Sequence, residues 1–242
     1  VSERNDPKND GRSIFVKFAT YLLYPFADCI VFQTKWARSC FPKTIRNKSI
    51  IIPNPISVTT LASNKKEKKI VAVGRLVEQK NHAMLIRAFK KVYDNYSNYK
   101  LYIYGEGILR ETLTKQIEEL NLCKAVFLPG EVSDIHEKIS DAEMFILSSN
   151  YEGLSNALLE AMMMGIPCIS TNCAGSNEVI INGYNGILIE VGNEKQLVQA
   201  MINFINDKKK AYQIGEEGKK TVQGMKKDNI ISVWEMTIEN KL

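Results

Sequence analysis

Apolar runs alternate with amphipathic stretches along residues 69–205 of this 242-residue chain. The runs are KIVAV, KLYIY, AVFLPG, EMFILSS, PCIST and NGILIE. Between them the apolar residues follow the helical period, as in NHAMLIRAFKKVYDNY (81–96). Strand followed by helix, repeated six times, predicts a parallel sheet whose two faces are covered by helices. The continuous apolar character of the strands favours the same α/β class, a doubly wound parallel sheet.

Prolines and a charge run separate this region from the first 56 residues. KSIIIPNPI (48–56) indicates a short strand, and the polar stretch after it indicates a linker. The long apolar run at 13–32 is interrupted by Lys17, Pro25 and Asp28, whereas a spanning helix needs about 20 uncharged residues. We therefore predict a helix that ends near Pro25, followed by a buried strand, CIVF. The tail at 209–240 is predicted to be helical in two pieces, broken near Gly224.

Composition narrows the choice of function only slightly. The net charge of +5 suits an anionic ligand or a membrane surface. The chain lacks the dense basic stripe that is usual in nucleic-acid-binding proteins. Five cysteines without a Cys-x-x-Cys pair indicate reduced thiols, neither a disulfide frame nor a zinc site. The chain starts at Val1 without an initiator methionine, so we expect a piece of a longer protein. No signal peptide is recognised, and the expected location is cytoplasmic, with the inner face of the membrane as an alternative.

Candidate ligand-binding residues follow the first two strands of the predicted sheet, because ligands bind at the carboxyl ends of such strands. Gly74 would let the backbone approach a ligand closely, while Arg75 and Lys80 would clamp a diphosphate. The alternative is that both cations are solvated surface residues. The second strand ends in YGEG, but Arg110 occupies the third glycine position of a dinucleotide fingerprint. A turn that serves helix packing is therefore favoured there over an NAD or FAD site.

The stretch SSNYEGLSNALLEAMMMG places Glu152 and Glu160 eight positions apart around a predicted helix start near Leu154. The free N–H groups at such a start form an anion site. Glu160 would lie about two turns in, roughly 12 Å along the axis, where its carboxylate could accept from both hydroxyls of a ribose. An exposed helix residue is the alternative, which spacing alone favours. NCAGSNEVI adds another helix start, with Glu178. Taken together, these loops suit one ligand, a sugar diphosphate.

EGLSNALLE followed by AMMMGIPCIS resembles the Glu–seven residues–Glu signature of retaining glycosyltransferases of family 4, which have the two-domain GT-B fold. VGRLVEQKN, YGEG, FLPG and AGSNEVI…GYNGILIEV stand in that family's order, and ADCIVFQT…IIPNPI is similar to the end of its first domain. The resemblance covers nearly the whole chain from about Ala27. It implies one Rossmann-like GT-B half with a truncated piece of a second Rossmann-like domain. The implied parts are an acceptor-domain remnant at 1–56, a linker at 57–68, a nucleotide-sugar-binding domain at 69–225, and a helix crossing back at 226–242.

The resemblance also implies roles for individual residues. Arg75 and Lys80 would hold the diphosphate, and Glu160 the ribose hydroxyls. Glu152 would face the donor sugar and the leaving phosphate, so the implied catalytic residues are Glu152, Arg75 and Lys80. The implied donor-binding residues are Gly74, Arg75, Lys80, Gly130, Val132, Gly153, Leu154, Ser155 and Glu160.

The implied activity is transfer of a sugar from a nucleotide-diphosphate sugar, with a UDP-sugar as the expected donor. The enzyme would be of the hexosyltransferase type, would retain anomeric configuration, and would need no metal and no cofactor besides the donor. The expected acceptor is a glycan or a lipid-linked glycan in polysaccharide or glycoconjugate biosynthesis, with peripheral membrane association and no nucleic acid. Two alternatives stay open. The truncated chain could bind nucleotide sugars without turnover, or be a sugar-nucleotide epimerase of the same fold, which the motif order disfavours.

Overall fold

A computed structural model describes residues 1–3, 7, 11–58, 63 and 66–239. A small parallel sheet in the order β1-β2-β3 begins the chain. Its strands are β1 (Ser2–Glu3), β2 (Ile30–Phe32) and β3 (Ser49–Ile51). The helices of this part are α1 (Ile14–Leu23), α2 (Lys35–Ser39) and α3 (Lys43–Arg46). The helix predicted to end near Pro25 ends at Leu23 and continues as a 3-10 turn, Tyr24–Phe26.

The second sheet has six strands, all parallel, as the alternation predicted. They are β4 (Lys69–Val73), β5 (Lys100–Tyr104), β6 (Val126–Gly130), β7 (Met144–Leu147), β8 (Cys168–Thr171) and β9 (Ile187–Ile189). Their order in space is β6-β5-β4-β7-β8-β9, so the direction of winding reverses between β4 and β7. The predicted α/β class, a doubly wound parallel sheet beside a piece of a second one, is confirmed.

Helices cover both faces of this sheet. Those between its strands are α4 (His82–Tyr93), α5 (Arg110–Glu119), α6 (Ile135–Ile139), α7 (Asn156–Met163) and α8 (Ser176–Val179). Those after its last strand are α9 (Glu194–Asn206), α10 (Lys208–Val222) and α11 (Lys227–Glu239). Within β4, Ile70 and Ala72 join the core with α4, α5 and α9, while Val71 joins the core with α7 on the opposite face. Side chains that alternate in this way bury both faces, which accounts for the continuous apolar run.

The last helix lies against the first sheet. Ile230 of α11 is buried with Val31 and Ile52, and Trp234 packs beside them. The Lys227 N–H donates to the Ile56 carbonyl at 3.1 Å, where the chain leaves the small sheet. The predicted linker at 57–68 falls partly outside the described residues, so the domain boundaries stay a prediction. In the described part of the chain, no helix is both long enough and apolar enough to span a membrane.

Helix α7 starts two residues later than predicted. Ser155 is its N-cap, and its hydroxyl accepts from the Leu158 N–H at 3.5 Å. Since Asn156 is the first helical residue, Glu160 lies just beyond the first turn and not two turns into the helix. The predicted break in the tail is confirmed, because a 3-10 turn at Gln223–Met225 separates α10 from α11.

Candidate active site

Two loops meet where the strand order reverses, which is the usual position of a ligand in an open α/β sheet. One loop follows β4 (74–81) and the other follows β7 (148–155). The Asn150 N–H donates to the Gln79 carbonyl at 2.8 Å, and the Ser148 hydroxyl donates to the Lys80 carbonyl at 2.9 Å. The Gln79 side chain also donates to the Tyr151 carbonyl at 3.1 Å. The two loops therefore form one connected unit.

Lys80 and Glu152 form an ion pair across these loops. The Lys80 ammonium lies 2.5 Å from Glu152 Oε2, and each side chain is only 13% exposed. The Ser149 hydroxyl donates to the same carboxylate oxygen at 3.0 Å. The structure thus brings together two residues that the sequence suggested for neighbouring parts of one ligand. Each neutralises the charge of the other.

Arg75 differs from Lys80 in that its side chain is exposed. Among the described residues its guanidinium makes no ion pair and no side-chain hydrogen bond. Gly74 lies directly before it and leaves room for the Lys80 side chain, since a Cβ on Gly74 would come within 3.2 Å of Lys80 Cε. Arg75 is therefore available to an anion, while Lys80 is already engaged.

Two cavities meet at Arg75. The larger cavity, of about 750 Å³, lies between the two sheets and is lined by the loop that carries Glu152. The smaller, of about 300 Å³, runs along the ends of β4, β5 and β6. Gly74 and Arg75 line both cavities. The two cavities therefore form one groove with two lobes. The larger lobe is lined by Gln33, Asn54, Arg75, Lys80, Glu152, Leu154, Ser155 and Asn156, among others. The smaller lobe is lined by Arg75, Tyr104, Gly105, Gly130, Glu131, Val132 and Ile135, among others.

Glu160 lies beside the groove and is paired with a residue that the sequence did not suggest. Its Oε2 is 3.4 Å from His136 Nε2 on α6. Burial raises the pKa of Glu160, while the nearby His136 opposes that shift. Ala157, one turn earlier on α7, lines the larger lobe, and Ile135, next to His136, lines the smaller one. The pair is therefore placed between the two lobes, on the side of α7.

Close backbone contacts fix the positions of these loops. A Cβ on Gly105, where φ is +136°, would lie 2.2 Å from the Gly74 carbonyl oxygen. A Cβ on Gly107 would lie 2.4 Å from the Leu76 carbonyl oxygen. The glycines of YGEG thus let the chain pass against the loop after β4, whereas the sequence suggested helix packing.

Gly175 has the same function at the start of α7. A Cβ there would lie 1.7 Å from the Gly153 carbonyl oxygen and 2.7 Å from the Leu154 nitrogen. The segment before α8 therefore packs backbone against backbone on the loop that carries Glu152.

Glu178, which the sequence placed at a further helix start, connects the larger sheet to the first one. Its two carboxylate oxygens accept from the N–H groups of Lys35 and Trp36, at 2.7 and 2.6 Å. These are the first N–H groups of α2, which have no partner within their own helix. Asn54 after β3 also donates to Asn156 Oδ1 at 2.7 Å. These contacts hold the first sheet against the part of the chain that lines the larger lobe.

Comparison with known proteins decides the family. The model of the family described as glycosyl transferases group 1 matches residues 56–221. This chain belongs to that family. It is 30% identical to an uncharacterized glycosyltransferase of Methanocaldococcus jannaschii, over 99% of this chain and 71% of the relative. It is 34% identical to a diphospho-undecaprenol N-acetylgalactosaminyltransferase of Campylobacter jejuni, over 85% of this chain and 59% of that enzyme.

Solved glycosyltransferase structures share the fold. Anabaena HepE in complex with UDP-glucose superimposes with a TM-score of 0.89 at 18% identity, covering 99% of this chain and 71% of that one. Staphylococcus aureus TarM gives 0.84 at 20% identity, covering 97% of this chain and 49% of that one. These enzymes have the GT-B fold, and the chain spans 49 to 71% of the length of the four proteins named here. The resemblance seen in the motifs is confirmed at the level of the family.

The structure places the predicted site residues in one region. Arg75, Lys80 and Glu152 line the groove directly, and so do Gly74, Gly130, Val132, Leu154 and Ser155. Their roles toward a ligand stay predictions. The described residues contain no group of three or more His, Cys, Asp or Glu side chains placed to hold a metal ion.

His82 is a buried group that was not among the predicted site residues. Its ring lies beneath the loop after β4, 4% exposed, and neither ring nitrogen has a hydrogen-bond partner of good geometry in the described residues. Burial lowers the pKa of His82 to about 4, and the nearby Lys80 adds to this effect. A neutral ring under a cationic loop stabilises the loop without adding charge to it.

Proposed function

We propose that this family member is the donor-binding part of a hexosyltransferase-type glycosyltransferase. It takes a sugar from a UDP-sugar and gives it, with retention of configuration, to a glycan or a lipid-linked acceptor. The observation that carries the proposal is the two-lobed groove with Arg75 at its junction and Lys80 beside it. A nucleotide sugar has the same layout, since an anionic diphosphate separates a nucleoside from a sugar. The Campylobacter relative is named for a diphospho-undecaprenol acceptor, and HepE was solved with UDP-glucose.

The groove suggests how such a donor would lie. The uracil would occupy the smaller lobe against the backbone of Gly130 and Val132, and Glu160 would accept from the ribose hydroxyls. The sugar would enter the larger lobe toward Glu152. The backbone of Gly153 to Ser155 would face the sugar and the leaving phosphate.

The diphosphate would lie among fixed positive groups. Arg75 offers five N–H donors in a planar fork, and the amino-terminal N–H groups of α7 add the positive end of the helix dipole. The Lys80 ammonium would interact with the phosphate as well as with Glu152. Charge that develops on the leaving diphosphate would be stabilised by these groups, and we propose that no metal or further cofactor takes part. Transfer by the longer parent protein should then survive excess EDTA, and loss of transfer that magnesium restores would contradict this point.

Because Glu152 is paired with Lys80, replacing Glu152 and replacing Arg75 should change UDP affinity in different ways. Arg75→Ala should weaken UDP binding about 10- to 100-fold, because a charge-assisted hydrogen bond contributes about 1.5–3 kcal/mol. Glu152→Gln should bind UDP at least as tightly as the unmodified chain, because it removes a negative charge near the diphosphate and releases Lys80. The measurement is calorimetric titration with UDP.

The matched control for this titration is Lys209→Ala, an exposed cation at the start of α10. It should bind UDP as the unmodified chain does. In the parent protein, Glu152→Gln should lower the rate of transfer more than donor binding, as expected for a contact that strengthens in the transition state. Unchanged UDP affinity in Arg75→Ala would contradict the proposed clamp.

Glu160 predicts a pH dependence of donor binding. Because burial raises its pKa, this carboxyl takes up a proton at higher pH than an ordinary glutamate and then loses an acceptor for the ribose. UDP affinity should therefore fall as the pH is lowered from 7.5 toward 5, and more steeply in the unmodified chain than in Glu160→Gln. The phosphate of UDP titrates in both proteins, so the difference between them reports Glu160 together with its partner His136. Parallel curves would assign Glu160 to packing.

A binding module without turnover is the second candidate, because the chain spans only part of the length of its relatives. Sugar transfer should be measured with this chain and with the parent. If both bind UDP and only the parent transfers a sugar, the acceptor is held by residues outside this chain. If neither binds UDP, the proposed function is wrong.

A further inference from the structure

A separate cavity, of about 550 Å³, lies at the end of the larger sheet opposite to the donor groove. Glu143, which directly precedes β7, and Pro167, which directly precedes β8, both line it. The cavity is therefore at the amino-terminal ends of these strands, whereas the groove is at the carboxyl ends. Along β7 the two ends, at 143 and 148, are roughly 16 Å apart, at ~3.3 Å per residue.

We call this space the basal cavity. Its lining includes Lys66, Glu143, Met164, Pro167, Phe204 and Tyr212. All of the described lining lies within residues 63–219, inside the region 56–221 that the family model matches. The first sheet contributes no described residue to it, and neither lobe of the donor groove shares a described lining residue with it. The basal cavity is thus a separate feature of the larger sheet.

Apolar side chains form most of the wall of the basal cavity. Phe204 of α9 and Ala211 of α10 are each 4% exposed, and Met164 at the end of α7 is 1% exposed. Tyr212 also lines the cavity but is 63% exposed, so its ring lies at the rim. A volume and an apolar wall of this kind are typical of sites for small molecules.

Lys66 brings a positive charge to this wall. Its ammonium donates to the Ser140 carbonyl at 3.0 Å, and the Glu67 N–H donates to the Asp141 carbonyl at 2.9 Å, so this part of the chain is held beside the end of α6. Burial lowers the pKa of Lys66, while Asp141 and Glu143 oppose that shift. The ammonium is therefore partly removed from water, with a carbonyl as its partner.

The two carboxylates near Lys66 are paired with other lysines. Asp141 Oδ1 lies 2.8 Å from the Lys69 ammonium. Glu143 is paired with Lys208 and accepts from the Tyr99 hydroxyl at 2.6 Å. Within the described residues Lys66 itself forms no ion pair. An anion that entered the cavity would supply the counter-charge that Lys66 lacks.

The other charges of the basal cavity leave a net positive value. Glu216 and Lys219 of α10 lie together beside Gly165, where a Cβ would come within 3.0 Å of Glu216 Oε1 and 3.7 Å of Lys219 Cδ. They offset each other in part. The whole lining carries three lysines and two glutamates, which gives a charge of +1.

We propose that the basal cavity binds a small amphipathic anion, a molecule with an apolar body and one carboxylate, sulfonate or phosphate group. The body would cover Phe204, Ala211 and Tyr212. The anionic group would accept a charge-assisted hydrogen bond from Lys66, which is the stronger kind. A neutral apolar molecule would leave this ammonium without a counter-charge, and an inorganic anion would leave the apolar wall uncovered.

Fluorescence titration of the full chain with 8-anilinonaphthalene-1-sulfonate tests the proposal, since the dye emits strongly in apolar sites and carries one anionic group. We expect saturable binding at one site. Decanoate should displace the dye, whereas decyltrimethylammonium, which has the same chain and the opposite charge, and inorganic sulfate should not. UDP should not displace it either, because the donor groove is a separate site. Displacement by UDP, or equal displacement by decanoate and decyltrimethylammonium, would overturn the proposal.

Two substitutions connect this binding to the basal cavity. Lys66→Met keeps an apolar stem and removes the charge, so it should weaken binding of the dye and of decanoate about tenfold, as expected for loss of a charge-assisted hydrogen bond. Tyr212→Ser removes part of the wall at an exposed position and should weaken binding as well. Unchanged affinity in Lys66→Met would overturn the proposal.

Matched controls are Lys68→Met, an exposed lysine outside the lining, and Tyr184→Ser, a tyrosine that is 54% exposed and lies elsewhere. Both should bind the dye as the unmodified chain does, and calorimetry should give one UDP affinity for all four variants. Controls that lose the dye as the test variants do would contradict the assignment to this cavity. So would binding by this chain that the longer parent lacks. A failure of UDP binding would overturn the proposed function but would leave the dye result unaffected.

Discussion

Replacing Lys80 by alanine is expected to lower the free energy of unfolding by about 1–3 kcal/mol, the range for leaving a largely buried polar group without its partner. The Glu152 carboxylate, 13% exposed beside Lys80, would then keep the Ser149 hydroxyl as its remaining side-chain partner among the described residues. The same change removes a cation from the donor groove, so UDP binding should weaken as well. Urea unfolding measures the first effect and calorimetry the second.

Two further variants separate these effects. Glu152→Gln added to Lys80→Ala should recover much of the lost stability, because the uncompensated charge is gone, but it should not restore UDP binding. Arg75→Ala should weaken UDP binding with little change in stability, since its side chain is exposed and makes no ion pair in the described structure. A Lys80→Ala protein as stable as the unmodified chain would mean that the ion pair contributes nothing in solution.

Gly175→Ala is the second substitution with a large expected effect. Its new methyl group would overlap the Gly153 carbonyl oxygen, 1.7 Å away, and both groups belong to the backbone. Overpacking of a rigid contact costs about 1–3 kcal/mol or more, and we expect the upper end here because neither side has a flexible side chain that could move. The displaced loop carries Glu152 and leads into α7, so UDP affinity should fall together with stability.

Gly224→Ala is the matched control. It lies in the turn between α10 and α11, and a Cβ there would meet no atom within 4 Å in the described structure. Its stability should stay within about 0.5 kcal/mol of the unmodified chain, as for surface substitutions in general. Similar urea midpoints for the two alanine variants would show that the contact between Gly175 and Gly153 is looser than the structure indicates.

The architecture was predictable because its signals are local. KIVAV and KLYIY were expected as strands, and β4 and β5 have those bounds to the residue. Their apolar runs are followed by polar turns and by helical periodicity, and each of these signals lies within a few positions of the next. The order of the strands was not predicted, but parallel pairing alone places their carboxyl ends at one edge of the sheet, where the groove lies.

The partners of the site residues were not predictable in this way. Lys80 and Glu152 are 72 positions apart, and Lys35 and Glu178 are 143 apart. Nothing in the neighbourhood of either residue indicates its partner, because each contact depends on how whole strands and loops are placed. The sequence could suggest that these residue types serve an anion site, but not that one carboxylate would neutralise Lys80 and another would cap α2. The two glycines that meet at 153 and 175 belong to the same class of contact.

We propose that a nucleoside diphosphate binds along the ends of β4, β6 and β7 with Arg75 at its middle. Hydrogen–deuterium exchange of the full chain, with and without saturating UDP, tests this claim most directly. We predict slower exchange of backbone amides at 74–80, 130–132 and 153–156, and unchanged exchange at 35–47, in α2 and α3. Protection confined to 35–47, or no protection in the three predicted segments, would contradict it.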